Sequence, residues 1–136
     1  MRITFIGASH GVPEPNRKCS CTMLEIKGRY YFIDMGTPAI DHLVTAGIPI
    51  DAVKGIFITH MHGDHTNGLI HFVDLLSWYF KTSDPIIFLP NTECTKIIGN
   101  WLKVNYTSPR DLHYEEIQPG VIYNDGFLKV TAIQTL

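Results

Sequence analysis

The sequence predicts an α/β fold of the α+β kind, in which helices pack on one side of a β-sheet. Short apolar runs with strand character occupy both ends of the chain, and strand–helix pairs lie between them. Strands first, then strand–helix units, then strands again is the order expected for a sheet with helices on its outer side. The 136 residues fit one domain with its own core.

Composition and charge exclude several classes of protein. The formal net charge is −2, which argues against a broad electrostatic surface for nucleic acid. The sequence contains no run of eighteen apolar residues, so no membrane-spanning helix is expected. Residues 1–7 are too short and too strand-like for a signal peptide. Cys19, Cys21 and Cys94 are odd in number and lack the spacing of a zinc ribbon. They predict reduced thiols and a cytoplasmic protein.

The N-terminal third predicts three strands. Residues 2–7 form the first, and residues 8–20 form a loop rich in glycine and proline. Residues 21–27 and 29–34 then read as a hairpin that turns at Gly28.

The rest of the chain alternates between strands and helices. Thr37 predicts an N-cap, with Pro38 at the first helical position of a helix over residues 39–46 and Gly47 as its end. Residues 55–59 form a continuously apolar strand, as expected for one buried on both faces. Apolar residues at helical spacing predict the next helix: Leu69, Phe72, Val73, Leu76 and Phe80. The remaining predicted elements are a strand at 86–89, a helix at 92–105, and strands at 114–118, 121–123 and 127–136.

The most informative stretch is residues 59–65, Thr-His-Met-His-Gly-Asp-His. It places His60, His62, Asp64 and His65 directly after the apolar strand. Imidazole and carboxylate groups are ligands for zinc, iron and manganese. Without a metal, four such groups at the end of a buried strand would repel one another or lack partners. A metal site is therefore the favoured interpretation.

The spacing indicates how the four ligands are shared. His60 and His62 can point the same way if the backbone stays extended, and Gly63 permits a sharp turn that brings Asp64 and His65 back. The economical arrangement is two metals, with His60 and His62 on one and Asp64 and His65 on the other. Two metals can share a bridging hydroxide and polarise a substrate oxygen. Asp64 is the predicted catalytic residue, since it could also orient that hydroxide.

The residues around the cluster make a resemblance specific. His-x-His-x-Asp-His after an apolar strand resembles the metallo-β-lactamase superfamily. Residues 62–69, His-Gly-Asp-His-Thr-Asn-Gly-Leu, are similar to the form found in its tRNase Z and RNase Z-like branch. The run from Phe5 to Pro13 resembles the opening strand and glycine loop of that branch. Asp34 and Gly36 match its Asp-x-Gly element.

The resemblance implies a metallo-β-lactamase-like αββα sandwich, of which this chain would be the N-terminal half. It implies two divalent metals, commonly zinc (manganese or iron being possible), and an RNase Z-like phosphodiesterase using a metal-bridging hydroxide. RNA is then a possible substrate. Asp34 would lie behind the ligands and orient one of them, or it would only cap a turn. Three aromatic residues, Trp78, Tyr79 and Phe80, could stack on bases, but core packing is the better explanation for at least two.

Four ligands are too few for two catalytic zincs, which normally have three protein ligands each. We therefore expect residues 1–136 to be a single domain truncated at its C-terminal end, with weak or absent metal. The exposed apolar face of a half-sandwich favours a homodimer or association with the missing C-terminal half. Two alternatives remain: a hydrolase of a lactone, thioester or lactam, and a non-catalytic metal-binding or interaction protein.

Overall fold

The computed structural model describes residues 1–12 and 14–135. Pro13, in the predicted loop, and Leu136, the last residue of the final predicted strand, lie outside the described residues. The strands are β1 (Arg2–Gly7), β2 (Cys21–Ile26), β3 (Arg29–Ile33), β4 (Val53–Phe57), β5 (Ile86–Leu89), β6 (Tyr114–Glu116), β7 (Gly120–Asn124) and β8 (Lys129–Ala132). The helices are α1 (Ala39–Thr45), α2 (Gly63–Trp78) and α3 (Thr92–Asn105), with a 3₁₀ turn at Ile50–Ala52.

The first six strands form one sheet in the order in which they occur along the chain. β1, β2 and β3 are antiparallel neighbours, whereas β3, β4, β5 and β6 run parallel. β7 and β8 form a separate antiparallel hairpin. Because parallel strands end at the same edge of a sheet, the segments that follow β3, β4 and β5 meet there.

The turn between β2 and β3 follows from two residues with positive φ. Lys27 has φ 49° and Gly28 has φ 75°. A two-residue hairpin turn with positive φ at both central positions matches the right-handed twist of the flanking strands. This turn sets the register in which Glu25 lies opposite Tyr30.

One face of the sheet packs against the helices and carries the main core. The members of this core are fully or almost fully buried apolar side chains, among them Met23, Phe32, Ile56, Leu69, Phe72 and Ile98. Alternate residues of the strands face the opposite side of the sheet. There Tyr31, Phe57 and Phe88 form a second, smaller core. The rings of Phe57 and Phe88 stack with centroids 4.8 Å apart.

The β7–β8 hairpin covers part of this second face. Tyr123 packs edge-on against Tyr31, Phe57 and Phe88, with ring centroids 5.6 to 5.9 Å apart. The half-buried side chains of Ile122, Leu128 and Val130 complete the contact. The hairpin is therefore packed onto the sheet rather than extending it.

A polar cluster fixes the hairpin to β3. The carboxylate of Asp125 accepts hydrogen bonds from Arg29 Nη2 at 2.7 Å, Tyr123 Oη at 3.0 Å and the hydroxyl of Tyr31. It also accepts two backbone N–H groups of its own turn. Burial alone would raise the pKa of Asp125, but the hydrogen bonds from Tyr31, the backbone and Arg29 hold that pKa well below its ordinary value.

The part of this face next to β1 stays exposed. Ile3 pairs with Leu24 and Phe5 pairs with Thr22, so both side chains share the face of Leu24. Ile3 is 49% exposed, Phe5 71% and Ile33 38%. An apolar inner face was expected to be exposed, and the structure shows it only where the hairpin does not reach.

Several details differ from the predictions, among them the bounds of the last strand, predicted over residues 127–136 and formed by Lys129–Ala132. Thr37 is not the cap of α1, because Pro38 takes that position with no side-chain hydrogen bond. The strand predicted over residues 55–59 runs two residues earlier. α2 begins at Gly63, inside the histidine cluster, and ends before Phe80. Core packing is the wrong explanation for Trp78 and Tyr79, which are 48% and 64% exposed.

Among the residues described, no helix has the length and apolar character needed to cross a bilayer.

Candidate metal centre

The histidine cluster lies at the edge of the sheet where parallel strands β3 and β4 end. Asp34 directly follows β3, and its backbone N–H donates to the carbonyl of Phe57 at 2.9 Å. Two residues after Phe57, the backbone N–H of Thr59 donates to Asp34 Oδ1 at 2.8 Å. These bonds bring the turn after β3 beside the start of the cluster.

The backbone then enters α2 through the cluster itself. His62 is extended, with φ −62° and ψ 147°, and occupies the N-cap position. Asp64 and His65 lie in the first turn of the helix, where the partial positive charge of the helix N-terminus favours a carboxylate. The change from extended chain to helix at Gly63 turns the last two candidate ligands toward the first two.

The four predicted ligands come together. The ring centroids of His60 and His65 are 4.0 Å apart, and those of His60 and His62 are 4.7 Å apart. His65 Nε2 lies 3.2 Å from Asp64 Oδ2. His60 and His62 are exposed, whereas Asp64 and His65 are half-buried. The cluster therefore opens to solvent on the side of the first two histidines.

Asp34 is the buried residue behind the cluster. It is 4% exposed and has φ 56°, a left-handed conformation that is uncommon for a residue with a side chain. Its Oδ2 lies 2.7 Å from His65 Nδ1, and its Oδ1 accepts the backbone N–H of Thr59. The carboxylate thus contacts a candidate ligand, as considered from the sequence, and its bond to Thr59 joins the segment after β4 rather than capping the turn that follows Asp34.

Close backbone packing holds α2 against the turn after β3. Met35 N donates to the carbonyl of His65, and Gly68 N donates to the carbonyl of Met35, both at 2.8 Å. A Cβ on Gly36 would lie 1.7 Å from the carbonyl oxygen of Asp64, and one on Gly68 would lie 2.1 Å from that of Thr37. Glycine is required at both positions because the two segments touch through their backbones.

The glycine loop after β1 also reaches the site. A Cβ on Gly11 would lie 3.5 Å from Asp64 Oδ2, so the loop backbone passes close to this carboxylate. His10 turns away from the cluster, since its Nε2 lies 3.1 Å from Glu14 Oε1. The hydrogen bond from Arg17 lowers the pKa of Glu14. The loop therefore presents backbone, rather than His10, to the predicted ligands.

The imidazole and carboxylate groups of the cluster are suitable metal ligands, and the side chain of His65 is oriented for one. Asp34 engages Nδ1 of His65, which leaves Nε2 directed toward Asp64. A carboxylate behind a ligating histidine is the usual arrangement at zinc sites. Within residues 1–12 and 14–135, however, no three His, Cys, Asp or Glu side chains are grouped closely enough to hold one ion. The described residues thus fit a metal but supply only part of its ligand shell.

Sequence reasoning missed one residue of the site, Thr59. Its hydroxyl lies 2.9 Å from both oxygens of Asp34 and 3.1 Å from Nδ1 of His60. A hydroxyl residue between the apolar strand and the first histidine was the available signal.

An open cleft of about 420 Å³ adjoins Thr59. Its polar lining includes Glu116, Gln118 and Gln134, from β6, the segment that follows it and the segment after β8. The cleft therefore lies beside the cluster, between the ends of the two sheets.

The remaining histidines are outside the cluster. His113 lies 3.0 Å from Glu115 on the surface, and His42 and His71 belong to α1 and α2. The three cysteines are free thiols.

Comparison with known families and curated proteins gives consistent matches. A family model described as Anti-Pycsar protein Apyc1 matches residues 1–118. The ribonuclease Z of Listeria innocua is 31% identical over 136 residues, covering 97% of this chain and 44% of that protein. The ribonuclease Z of Thermosynechococcus vestitus is also 31% identical, with 96% and 33% covered. The chain thus spans less than half the length of these relatives.

Solved structures share the fold. The short form of human tRNase Z superposes with a TM-score of 0.67 at 25% identity, covering 84% of this chain and 42% of that one. A diphosphatase of the PhnP family gives a TM-score of 0.57 at 21% identity, covering 89% and 48%. A metallo-β-lactamase fold protein from Bacillus subtilis gives 0.59 at 20% identity, covering 86% and 45%. The predicted fold class, with this chain as the N-terminal half of the sandwich, is confirmed.

Proposed function

The chain belongs to the Anti-Pycsar protein Apyc1 family, within the RNase Z-like branch of the metallo-β-lactamase superfamily, and from that premise we propose that it carries half of the site of a metal-dependent phosphodiester hydrolase. The contact between buried Asp34 and His65 is the observation that supports this most directly. It leaves Nε2 of His65 directed toward Asp64, 3.2 Å from Oδ2 of that carboxylate.

In this proposal His60, His62, Asp64 and His65 hold two divalent cations. Imidazole with carboxylate suits zinc best, and manganese and iron also accept this set. Bound metals would supply the acidity that ionises water near neutral pH, and would polarise the oxygen of the substrate. That the resulting hydroxide bridges two metals stays a prediction, as does the sharing of two ligands by each ion.

The protein's own groups have separate tasks. Asp64, half-buried in the first turn of α2, would orient the attacking water by accepting its proton in a hydrogen bond. Asp34 holds the ring of His65, so that this ligand does not have to be ordered when the metal binds. The backbone of the loop at Gly11 lies beside Asp64, since a Cβ on Gly11 would be 3.5 Å from its Oδ2, and would form one wall of the proposed site.

The substrate class comes from the relatives. Proteins of similar sequence are ribonucleases Z, and proteins of similar structure include a tRNase Z and a diphosphatase. All three names denote hydrolysis at phosphorus. We propose a phosphodiester substrate, with RNA as one possibility, bound in the cleft of about 420 Å³ beside Thr59.

Zinc binding tests the site directly. Because the ligand shell is partial, we expect weak zinc binding, measured by competition with a chromophoric chelator. His62→Ala should abolish it, whereas His71→Ala, which removes an exposed histidine of α2 outside the cluster, should not. Equal zinc affinity in the wild type and His62→Ala would contradict the proposed site.

Turnover tests the reaction. The wild type, supplied with excess zinc, should hydrolyse a bis-aryl phosphodiester, and His62→Ala should lose this activity. Activity that survives in His62→Ala would come from a contaminating enzyme. Hydrolysis of a lactone or thioester without hydrolysis of the phosphodiester would instead favour the carbonyl-directed alternative, because a metal-activated water attacks either centre.

A non-catalytic role is the second candidate, and the partial ligand shell is the observation that favours it. It predicts zinc binding that depends on His62 but no turnover of any ester.

The exposed apolar side chains next to β1 support a partner. Ile3, Phe5 and Ile33 share one face of the sheet and are not covered by the hairpin. We propose that this face packs against a second copy or against a polypeptide equivalent to the C-terminal half of the relatives. A monodisperse monomer by light scattering at high micromolar concentration would exclude the homodimer. The cytoplasmic location stays a prediction.

A further inference from the structure

The hydroxyl of Thr59 has three polar neighbours and one proton. It lies 2.9 Å from Oδ1 and 2.9 Å from Oδ2 of Asp34, and 3.1 Å from Nδ1 of His60. An ionised carboxylate only accepts hydrogen bonds. The proton of the hydroxyl therefore goes to Asp34, and the oxygen of Thr59 is left as an acceptor.

This assignment determines which ring nitrogen of His60 carries the proton. A neutral imidazole carries its proton on one nitrogen and a lone pair on the other. Since the oxygen of Thr59 can only accept, Nδ1 of His60 must donate to it. His60 is then the Nδ1–H tautomer, and its Nε2 lone pair is available to a metal.

The same carboxylate acts on His65 without an intermediary. Nδ1 of His65 lies 2.7 Å from Asp34 Oδ2, so it also carries the proton and donates it. Its Nε2 lies 3.2 Å from Asp64 Oδ2, a longer contact, so the single proton of a neutral ring goes to the shorter contact at Nδ1. Two candidate ligands, taken from different sides of Gly63, thus have the tautomer that a metal bound at Nε2 requires.

We propose that Thr59 is a positioning residue that relays the charge of Asp34 to His60, so that one buried carboxylate sets the tautomers of both His60 and His65. The inference rests on the proposed metal-binding function for its purpose. The tautomers themselves are properties of the metal-free chain.

A purely structural role for Thr59 has a different requirement. To cap the turn after β4, the hydroxyl needs only Asp34, and the backbone N–H of Thr59 already donates to that carboxylate at 2.8 Å. The contact with His60 adds nothing to such a cap. It matters only if the orientation and tautomer of His60 matter.

Long-range proton–nitrogen NMR of histidine side chains tests the proposal on the metal-free chain. At about pH 8.5, the wild type should show His60 and His65 as Nδ1–H tautomers. Thr59→Val keeps the shape but loses the hydroxyl, so His60 should change to a mixture of tautomers while His65 stays unchanged. Thr59→Ser should restore the wild-type pattern. Thr131→Val, the same substitution at an exposed position of β8, should change neither histidine.

Two results would overturn the relay. One is a wild-type His60 that already populates both tautomers or carries its proton on Nε2. The other is a Thr59→Val protein in which His60 keeps the Nδ1–H tautomer. The wild-type spectrum and the Thr59→Ser variant give an answer even if Thr59→Val does not fold.

Zinc affinity then separates this proposal from the proposed function. Loss of such a supporting hydrogen bond should weaken zinc binding by about 10-fold in Thr59→Val and not in Thr59→Ser. If the wild type binds no zinc, the proposed function fails, whereas the tautomer result still decides the relay.

Discussion

Replacing Gly68 by alanine should destabilise the protein strongly, although the same substitution usually stabilises a helix. Gly68 lies inside α2, and alanine in a helix interior is favoured over glycine by about 1 kcal/mol. Here a Cβ would lie 2.1 Å from the carbonyl oxygen of Thr37 and 2.8 Å from that of Met35. Both atoms belong to backbone, so no side chain can rotate to make room.

The size of the effect follows from the displacement. Ordinary contact begins near 3.4 Å, so α2 and the turn after β3 must separate by about 1.3 Å at this point. Such overpacking typically costs about 1–3 kcal/mol. The separation also weakens the hydrogen bond from Gly68 N to Met35 O, and a buried group left unpaired costs about 1–3 kcal/mol. After the helical gain is subtracted, we expect a loss of about 1–5 kcal/mol in the free energy of unfolding.

Urea unfolding followed by circular dichroism measures this loss. Gly99→Ala is the matched control, because Gly99 lies in α3 with nothing within 4 Å of the position a Cβ would take. It should raise the free energy of unfolding by about 1 kcal/mol. The reasoning is refuted if Gly68→Ala is as stable as the wild type, or if both variants change stability in the same direction.

Other substitutions test the rest of the structure. Asp125→Asn should lower the free energy of unfolding by about 1.5–3 kcal/mol at neutral pH. Because the pKa of Asp125 is depressed in the folded state, the stability that its carboxylate contributes is present above about pH 4 and is lost as the pH falls. The free energies of unfolding of the variant and the wild type should therefore converge in acid. Asn91→Ala removes the side chain that caps α3 through the N–H of Cys94 and should cost about 1 kcal/mol by thermal unfolding. Burial, assisted by the charge of Asp34, raises the pKa of the Cys21 thiol to about 12, so mass spectrometry after native alkylation at about pH 8 should find Cys21 unmodified and half-buried Cys19 modified.

The sequence was sufficient where local signals and tertiary packing agree. The strand at 86–89 and the helix at 92–105 have the bounds predicted for them. In both, the apolar pattern has the period of the element, and a turn or capping residue marks an end: Pro90 after the strand and Asn91 before the helix. The closeness of Asp34 to the cluster was implied by the family resemblance, and the structure gives the reason: the parallel strands β3 and β4 end at one edge of the sheet.

The misses arise where distant contacts override a local signal. The pattern placed the start of the second helix after the cluster, but α2 begins within it. The backbone of Met35 holds the beginning of α2 there, because its N–H donates to the carbonyl of His65 and its carbonyl accepts the N–H of Gly68. Thr37 has a side chain suited to an N-cap, yet Pro38 occupies the N-cap position of α1. The carbonyl of Thr37 instead packs closely against Gly68 of α2. The role of Thr59 depends on a hydrogen bond to a residue 25 positions away, which no local pattern reports.

The order of strands along the sheet has a consequence for how the chain folds. Each strand from β2 to β6 pairs with the strand that precedes it in sequence. The sheet can therefore form from the N-terminus, one strand at a time, because each strand pairs with one that is already in place. The β7–β8 hairpin is the exception, because its bond to Arg29 spans 96 positions. We expect it to gain protection last in pulsed hydrogen exchange; protection of β7 before β4 and β5 would contradict this order.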